Sequence, residues 1–308
     1  METRDVVVVG LGALGSAAAY HLARRGADVV AFERFELGHV RGASHDTSRI
    51  IRTSYGAERY VRFAQSAYRD WADLESATGE RLTTITGGII MIPRNGPYAA
   101  ADFTTALAAT GVPFELLEPL EVMARWPQFR LGGDVETIHT ADSGIAHASR
   151  TVATLQLHAR MLGAELRDRT RVTRLSPGAD GVVVHTDRGD VRARRVILAT
   201  DAWSNELLEP LGAAIPLAVM QEQVSYFAPA VPADYDPARF PVWIWEDEHC
   251  FYGFPTFGEP TIKAARDLSE NLMTPQERTF APSPALLDEL RGFLGGVVPG
   301  AGEVLRTV

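Results

Sequence analysis

The sequence predicts an α/β fold in which a domain of parallel strands and helices is interleaved with a mixed, β-sheet-rich domain. Three observations carry the prediction. Val6-Val7-Val8-Val9 is a β-branched run bounded by glycine, the pattern of a strand buried on both faces of a parallel sheet. The run Gly10-Leu11-Gly12-Ala13-Leu14-Gly15 and an alanine-rich stretch follow it directly, and a second apolar run, Asp28 to Phe32, ends in Glu33. Residues 216–265, by contrast, are short apolar runs separated by Pro, Gly and Asp turns, as in a β-rich domain.

The elements follow in order. Ser16 to Arg25 favours a helix, with two arginines in its last turn and Gly26 as the stop. Arg59 to Ala77 places Tyr60, Phe63, Ala64, Ala67 and Trp71 at three-and-four spacing, which predicts a packing helix on that face. Residues 84–92 read as a strand with a glycine break, 97–110 as a helix, and 151–163 as another helix. Strands are expected at 170–175, 182–186 and 191–193, and a second strand of the buried type at 196–200 (VILAT). The β-rich segment supplies strands at 223–227, 242–245, 250–252 and 261–264. The nucleotide-binding pieces then fall at 1–80 and 145–212, and the mixed β-rich domain at 81–144 and 213–300.

Composition narrows the class. The 308 residues are 46% hydrophobic and 22% charged, enough to bury a large core and divide it in two. A formal net charge of −9 argues against nucleic acid or an anionic membrane surface as the main partner. One cysteine, Cys250, leaves no intrachain disulfide and no cysteine-based zinc site, and no metal-ligand motif replaces it. Val6 to Ala23 carries no charged residue, yet three glycines, Ser16 and His21 interrupt it, and Glu2 and Asp5 flank Arg4 where an export signal carries positive charge. The expectation is a cytoplasmic chain with no membrane span.

A lone G-x-G-x-x-G is a weak signal, and a ligand-free glycine turn is its plain alternative. Here the motif follows a buried strand, opens a helix and precedes an acid at the end of the next strand, the context of a Rossmann-like dinucleotide site. Gly10 permits the tight turn, Gly12 lets a pyrophosphate approach the backbone, and Gly15 lets the helix pack close. Glu33 can accept hydrogen bonds from ribose hydroxyls and repels a 2′-phosphate, which disfavours NADP without separating NAD from FAD.

Downstream, Arg49 and Arg52 in SHDTSRIIR share a face if that stretch turns helically, and two guanidinium groups suit anions. Surface arginines in an arginine-rich chain explain them equally. Lys263 stands out because it is the single lysine among 30 Lys and Arg. A compact ammonium can hold a water and adjust its proton affinity when buried, which a guanidinium cannot; the alternative is a chance surface lysine. His45 beside Asp46 suggests acid/base work or, more simply, a polar loop capping a helix. Glu246-Asp247-Glu248 reads as a solvated turn, and Tyr60, Trp71 and Trp203 as core aromatics.

The stretches VVVVGLGALG, SHDTSRIIRTSYG, ATDAWSNELL and FYGFPTFG followed by TIK span nearly the whole chain. Together they resemble the monomeric sarcosine oxidase and N-methyltryptophan oxidase family of flavoproteins, within the wider D-amino-acid-oxidase-like fold. The resemblance implies an FAD-binding domain interleaved with a substrate domain, and oxidation of a secondary or N-methyl amino acid with molecular oxygen reduced to hydrogen peroxide. It implies FAD at Gly10, Gly12, Leu14, Gly15, Glu33 and Arg34. It further carries Ser44, Thr47, Ser48, Arg49, Val172 and Trp203 into the cofactor-binding set. It gives Arg49 a place beside the flavin ring, Arg52 the substrate carboxylate, Tyr252 a place in the cavity wall, and Lys263 the site of oxygen activation.

Departures from the family pattern qualify these expectations. The chain stops at Val308, where relatives continue with a cysteine that carries FAD covalently, so a fragment or a weak FAD binder is expected. Cys250 lies on the wrong side of Lys263 to be that attachment point and reads as a half-buried thiol. Ala264-Ala265-Arg266-Asp267 lacks the histidine that sarcosine oxidases place after the lysine. Trp243 and Trp245 change the room expected for the amine, and Asp201 stands where a glycine is usual. Three other functions compete: an FAD dehydrogenase with a non-oxygen acceptor, a non-catalytic flavin-binding fragment, and an NAD-linked dehydrogenase.

Overall fold

A computed structural model describes residues 1–308, and the chain divides into two compact units, Met1–Thr47 with His147–Val219 and Ser48–Ala146 with Met220–Val308. The elements follow that division. The first stretch holds β1 (Glu2–Val9), α1 (Ala13–Arg24) and β2 (Val29–Phe32). The second holds β3 (Arg49–Ile51), α2 (Glu58–Thr78), β4 (Thr83–Ile85), β5 (Gly88–Pro93), α3 (Ala100–Thr110), β6 (Glu115–Leu117), α4 (Pro119–Arg125), β7 (Val135–Thr140) and β8 (Gly144–Ala146). The third returns to the first unit with α5 (Ala148–Met161), β9 (Glu165–Arg167), β10 (Val172–Gly178), β11 (Gly181–Thr186), β12 (Gly189–Leu198) and α6 (Ser204–Leu208). The last gives β13 (Ser225–Ala228), β14 (Val242–Trp245), β15 (Cys250–Phe254), β16 (Ile262–Asp267), α7 (Pro284–Val297) and β17 (Glu303–Thr307).

The first unit is an α/β layer on a six-stranded sheet of order β10-β11-β12-β1-β2-β9. β1 lies between β12 and β2 and is parallel to both, so its valine run meets neighbours on either side. Val7 and Val8 are fully buried. Gly10 turns the chain with φ +93°, and a Cβ there would lie 2.3 Å from the Ala199 carbonyl oxygen. The strand expected at 196–200 is the end of the ten-residue β12, which pairs with β1 along its length. Asp201, at the usual glycine position, adopts φ +48°, a left-handed backbone that explains why glycine suits it.

The second unit is built on an eight-stranded sheet, order β17-β13-β16-β15-β14-β5-β7-β6, with a small sheet β3-β8-β4. The large sheet is mixed because β14 runs parallel to β5 while its other side pairs antiparallel with β15. Its main core joins Trp243, Phe240 and Phe251 to Leu290 and Leu294 of α7. Gly253 is required there: a Cβ would lie 2.4 Å from the Trp243 indole.

Several expectations change. Residues 48–80, expected with the nucleotide-binding pieces, belong to the second unit, because β3 pairs with β8 and Val61 of α2 packs with Phe103 and Ile138. The α2 helix exists, but its buried face is Val61, Ala64 and Leu74, while Tyr60 and Phe63 are exposed. Trp243 sits in the α7-side core, so it bears on stability rather than on room for an amine. Trp245, two residues on and on the same face, packs edge-on against Phe293.

Candidate functional site

In the first unit the glycine loop, the ends of β2 and β12, the 37–45 loop and α5 line a cavity of about 500 Å³. That size suits a substantial ligand. The loop is built by close approaches: a Cβ on Gly15 would lie 1.8 Å from the Gly10 carbonyl oxygen, and one on Gly12 would lie 3.0 Å from Ser44 Oγ. Ser44 Oγ accepts from the Ala13 amide (2.9 Å), so the loop supplies a cap that Gly12 itself lacks. Leu14 also lines the cavity and is 81% exposed.

Glu33 anchors the far side. It is 6% exposed, and its carboxylate accepts from the amides of Leu11 (2.9 Å) and Phe35 (3.0 Å), with His39 Nε2 at 3.4 Å. Burial pushes the Glu33 carboxyl up, but hydrogen bonds from His39, Leu11 and Phe35 outweigh it and hold the group below the ordinary carboxylate value. A carboxylate has about four acceptor positions, so hydroxyls in the cavity can still be served. Arg34 lies 5.2 Å over Phe35 and 5.5 Å over Trp203, giving flat surfaces beside Glu33, and it reaches Glu206 at 3.5 Å. Val172 and Trp203 line the same cavity, so Trp203 is a cavity aromatic as well as a packing one. The cradle of glycines, the helix terminus, the buried acid and the planar walls fit an adenine dinucleotide such as FAD.

Two parts of this site escaped the sequence reading. Gln156 of α5 is 7% exposed, and its Nε2 donates to the Leu11 carbonyl (2.9 Å) and reaches Ser16 Oγ (3.3 Å), tying the glycine loop to a second helix. A polar residue at a core position, between Leu155 and Ala159, was its available signal. His39 had none beyond its type. The His45-Asp46 loop serves α5 through its backbone: Asp46 O accepts from Ser149 N (3.0 Å) and Thr47 O from Ala148 N (3.2 Å). Thr47 therefore caps a helix and does not line the cavity.

In the second unit the cationic residues converge. Lys263, on β16, is 3% exposed; its Nζ donates to the carbonyl and hydroxyl of Ser48 at 2.8 and 3.2 Å and lies 4.6 Å from the Phe254 ring centre. Arg49 Nη1 donates to the same Ser48 carbonyl (2.8 Å). Ser48 thus belongs to this cluster rather than to the cavity of the first unit. Tyr252 is two residues before Phe254 on β15, its ring edge-on to the phenyl at 6.0 Å.

Arg49 and Arg52 do not share a helical face, because 49–51 is the strand β3 paired to β8. Arg52 lies with its guanidinium 4.5 Å over the Tyr55 ring and 3.7 Å from Glu246, and its Nη1 is buried without a hydrogen-bond acceptor. Glu246 is consequently no solvated turn residue: its side chain is 14% exposed and also accepts from Cys250 Sγ (3.5 Å). Cys250 itself is buried, and burial pushes its thiol pKa up. No helix is long and apolar enough to cross a membrane, and no cluster of metal-ligating residues is present.

Known proteins share this architecture. A monomeric sarcosine oxidase of Streptomyces avermitilis is 34% identical over 85% of this chain and 68% of its own length. A monomeric sarcosine oxidase from a Bacillus species is 30% identical over 98% of this chain and 79% of its own. The solved structure of NikD, an unusual amino acid oxidase essential for nikkomycin biosynthesis, superposes with a TM-score of 0.89 at 30% identity, over 100% of this chain and 81% of that one. The model of the FAD dependent oxidoreductase family matches residues 5–308, and the chain belongs to that family of flavoenzymes.

Proposed function

We propose that the chain oxidises a secondary or N-methyl amino acid at the carbon attached to nitrogen, with the first unit as the FAD-binding domain and the second as the substrate domain. One observation carries the reading. The only lysine of the sequence is buried on a strand, converging with Arg49 on a single carbonyl, where a structural role could have been filled by a longer, easier-to-place arginine. The names of the relatives support the substrate class: two are sarcosine oxidases and one is an amino acid oxidase.

When bound, FAD would supply the two-electron acceptor for a hydride lost from the C–N carbon of the neutral amine, which leaves a protonated imine; that proton and the hydride's own proton and two electrons would leave with oxygen as hydrogen peroxide. Gly10, Gly12 and Gly15 give that cofactor its backbone cradle, with Glu33 at the ribose and Arg34 and Trp203 as flat walls. Arg52 takes the substrate carboxylate, since a partly exposed planar fork matches two oxygens. Tyr252 forms part of the wall that excludes water. Arg49 and Lys263 hold positive charge where negative charge develops, and Lys263 can hold or hand on a proton as oxygen is reduced. No side-chain base is assigned, and none is needed provided the amine is unprotonated when its carbon is oxidised.

The test is to mix the FAD-loaded chain anaerobically with a panel of N-methyl and cyclic amino acids and then admit air. The reading expects at least one to bleach the visible flavin band, with colour and hydrogen peroxide returning together. Bleaching that only a quinone reverses gives the dehydrogenase instead, and a band that no amine bleaches overturns the proposal.

A further inference from the structure

We infer that Glu246 is a specificity-determining residue of the substrate site: it holds an internal carboxylate against Arg52, so that an incoming anion must bind beside a charge of its own sign. The inference rests on the assignment of Arg52 to the substrate carboxylate.

The position of Glu246 is set by the sheet. Its amide donates to the Met91 carbonyl (2.9 Å), extending the pairing of β14 with β5 by one residue. Side chains alternate along that strand, so Trp243 and Trp245 face the α7 side and Glu246 projects to the opposite face, where Arg52 lies. At 3.7 Å the pair is an ion pair without a hydrogen bond. Other arginines of the same unit close fully on an acid, as Arg266 does on Glu289 at 2.7 Å and Arg125 on Glu115 at 2.8 Å. Arg52 does not: its guanidinium rests over Tyr55 and its buried Nη1 has no acceptor. The cation is therefore neutralised while its donors remain unspent.

Two consequences follow. The Arg52 side chain is 20% exposed, so the rest of its guanidinium gives a carboxylate a hydrogen-bonded partner that Glu246 does not supply, which favours binding. The Glu246 charge opposes the same binding. Two like charges about 6 Å apart in a half-buried setting repel enough to cost on the order of ten-fold in affinity after solvent and salt screening. A simple carboxylic acid feels the whole penalty, whereas an amino acid that arrives with its amine protonated carries a compensating positive charge and feels less, giving up that proton before its carbon is oxidised. Glu246 thus selects amino acids over plain carboxylates.

Calorimetric titration of the FAD-loaded chain with acetate, and with acetamide as its uncharged counterpart, tests this without turnover. Glu246→Gln is expected to bind acetate about ten-fold more tightly than the unaltered chain with acetamide unchanged, and Glu246→Ala gives the same direction should the glutamine variant fold poorly. Arg52→Gln is expected to lose acetate. If both Glu246 variants bind acetate no more tightly while Arg52→Gln loses it, the role of Glu246 is overturned and that of Arg52 stands. If Arg52→Gln keeps its acetate affinity, the Arg52 assignment fails and the inference falls with it.

Discussion

The glycine-lined cavity of the first unit and the cation cluster of the second are built on opposite principles. The cavity is made by backbone: glycines at 10, 12 and 15 in one turn, helix amides, and an acid 22 residues after Leu11 on the neighbouring strand. The cation cluster is made by side chains from β3, β15 and β16, so Lys263 reaches Ser48 across 215 residues of sequence. Backbone sites tolerate change in what projects from the chain but not in where the chain runs. Side-chain sites behave the other way, and the two units should therefore fail differently when altered.

The largest expected effect is in the second unit. Lys263→Met should slow reoxidation of reduced flavin by oxygen by roughly 10²–10³ while leaving FAD affinity and anaerobic reduction nearly unchanged, which stopped-flow mixing resolves. A reoxidation rate within a few-fold of the unaltered chain would break the comparison. In the first unit, Gly15→Ala drives a methyl into the Gly10 carbonyl at 1.8 Å, which backbone cannot yield cheaply. It should abolish FAD binding and lower stability by roughly 2–3 kcal/mol, measured by denaturant unfolding.

A smaller change sharpens the point. Gln156→Leu removes the amide that clamps the Leu11 carbonyl and Ser16, and should cost roughly 1–2 kcal/mol with weaker FAD binding but no change in oxygen reactivity per bound flavin. The smallest effect is electrostatic. The Glu33 carboxyl is held below its ordinary value of 4.5 in the folded chain, so its contribution to stability is complete above that pH and is lost as acid lowers the pH through the folded value. Glu33→Gln should flatten this part of the acid limb in a plot of melting temperature against pH; an unchanged limb would show that the carboxylate is not held as described.

The same contrast explains what could be read from the chain beforehand. The valine strand, the glycine loop and Glu33 were legible because each signal is local, a periodicity or a spacing within one turn. Lys263 was singled out by its rarity and Ser48 was placed with the cofactor by resemblance, but their pairing was not legible, since nothing local joins β16 to the residue before β3. For Arg49 and Arg52 a shared face was conditional on a helical turn, because spacing alone cannot separate such a turn from a three-residue strand whose partner, β8, lies far along the chain. The face of α2 was misplaced for a related reason: Tyr60 and Phe63 are apolar enough to mimic a core stripe, while Val61 and Leu74 meet the partners that actually bury them. Glu246 looked like part of an acidic turn until strand alternation turned it towards Arg52.

The central claim, that the backbone cavity of the first unit holds the adenosine diphosphate half of FAD, has a direct test in competition calorimetry. One FAD should bind per chain, and ADP should displace it while riboflavin phosphate does not. Displacement by riboflavin phosphate alone, or no FAD binding by the folded chain, would contradict the account.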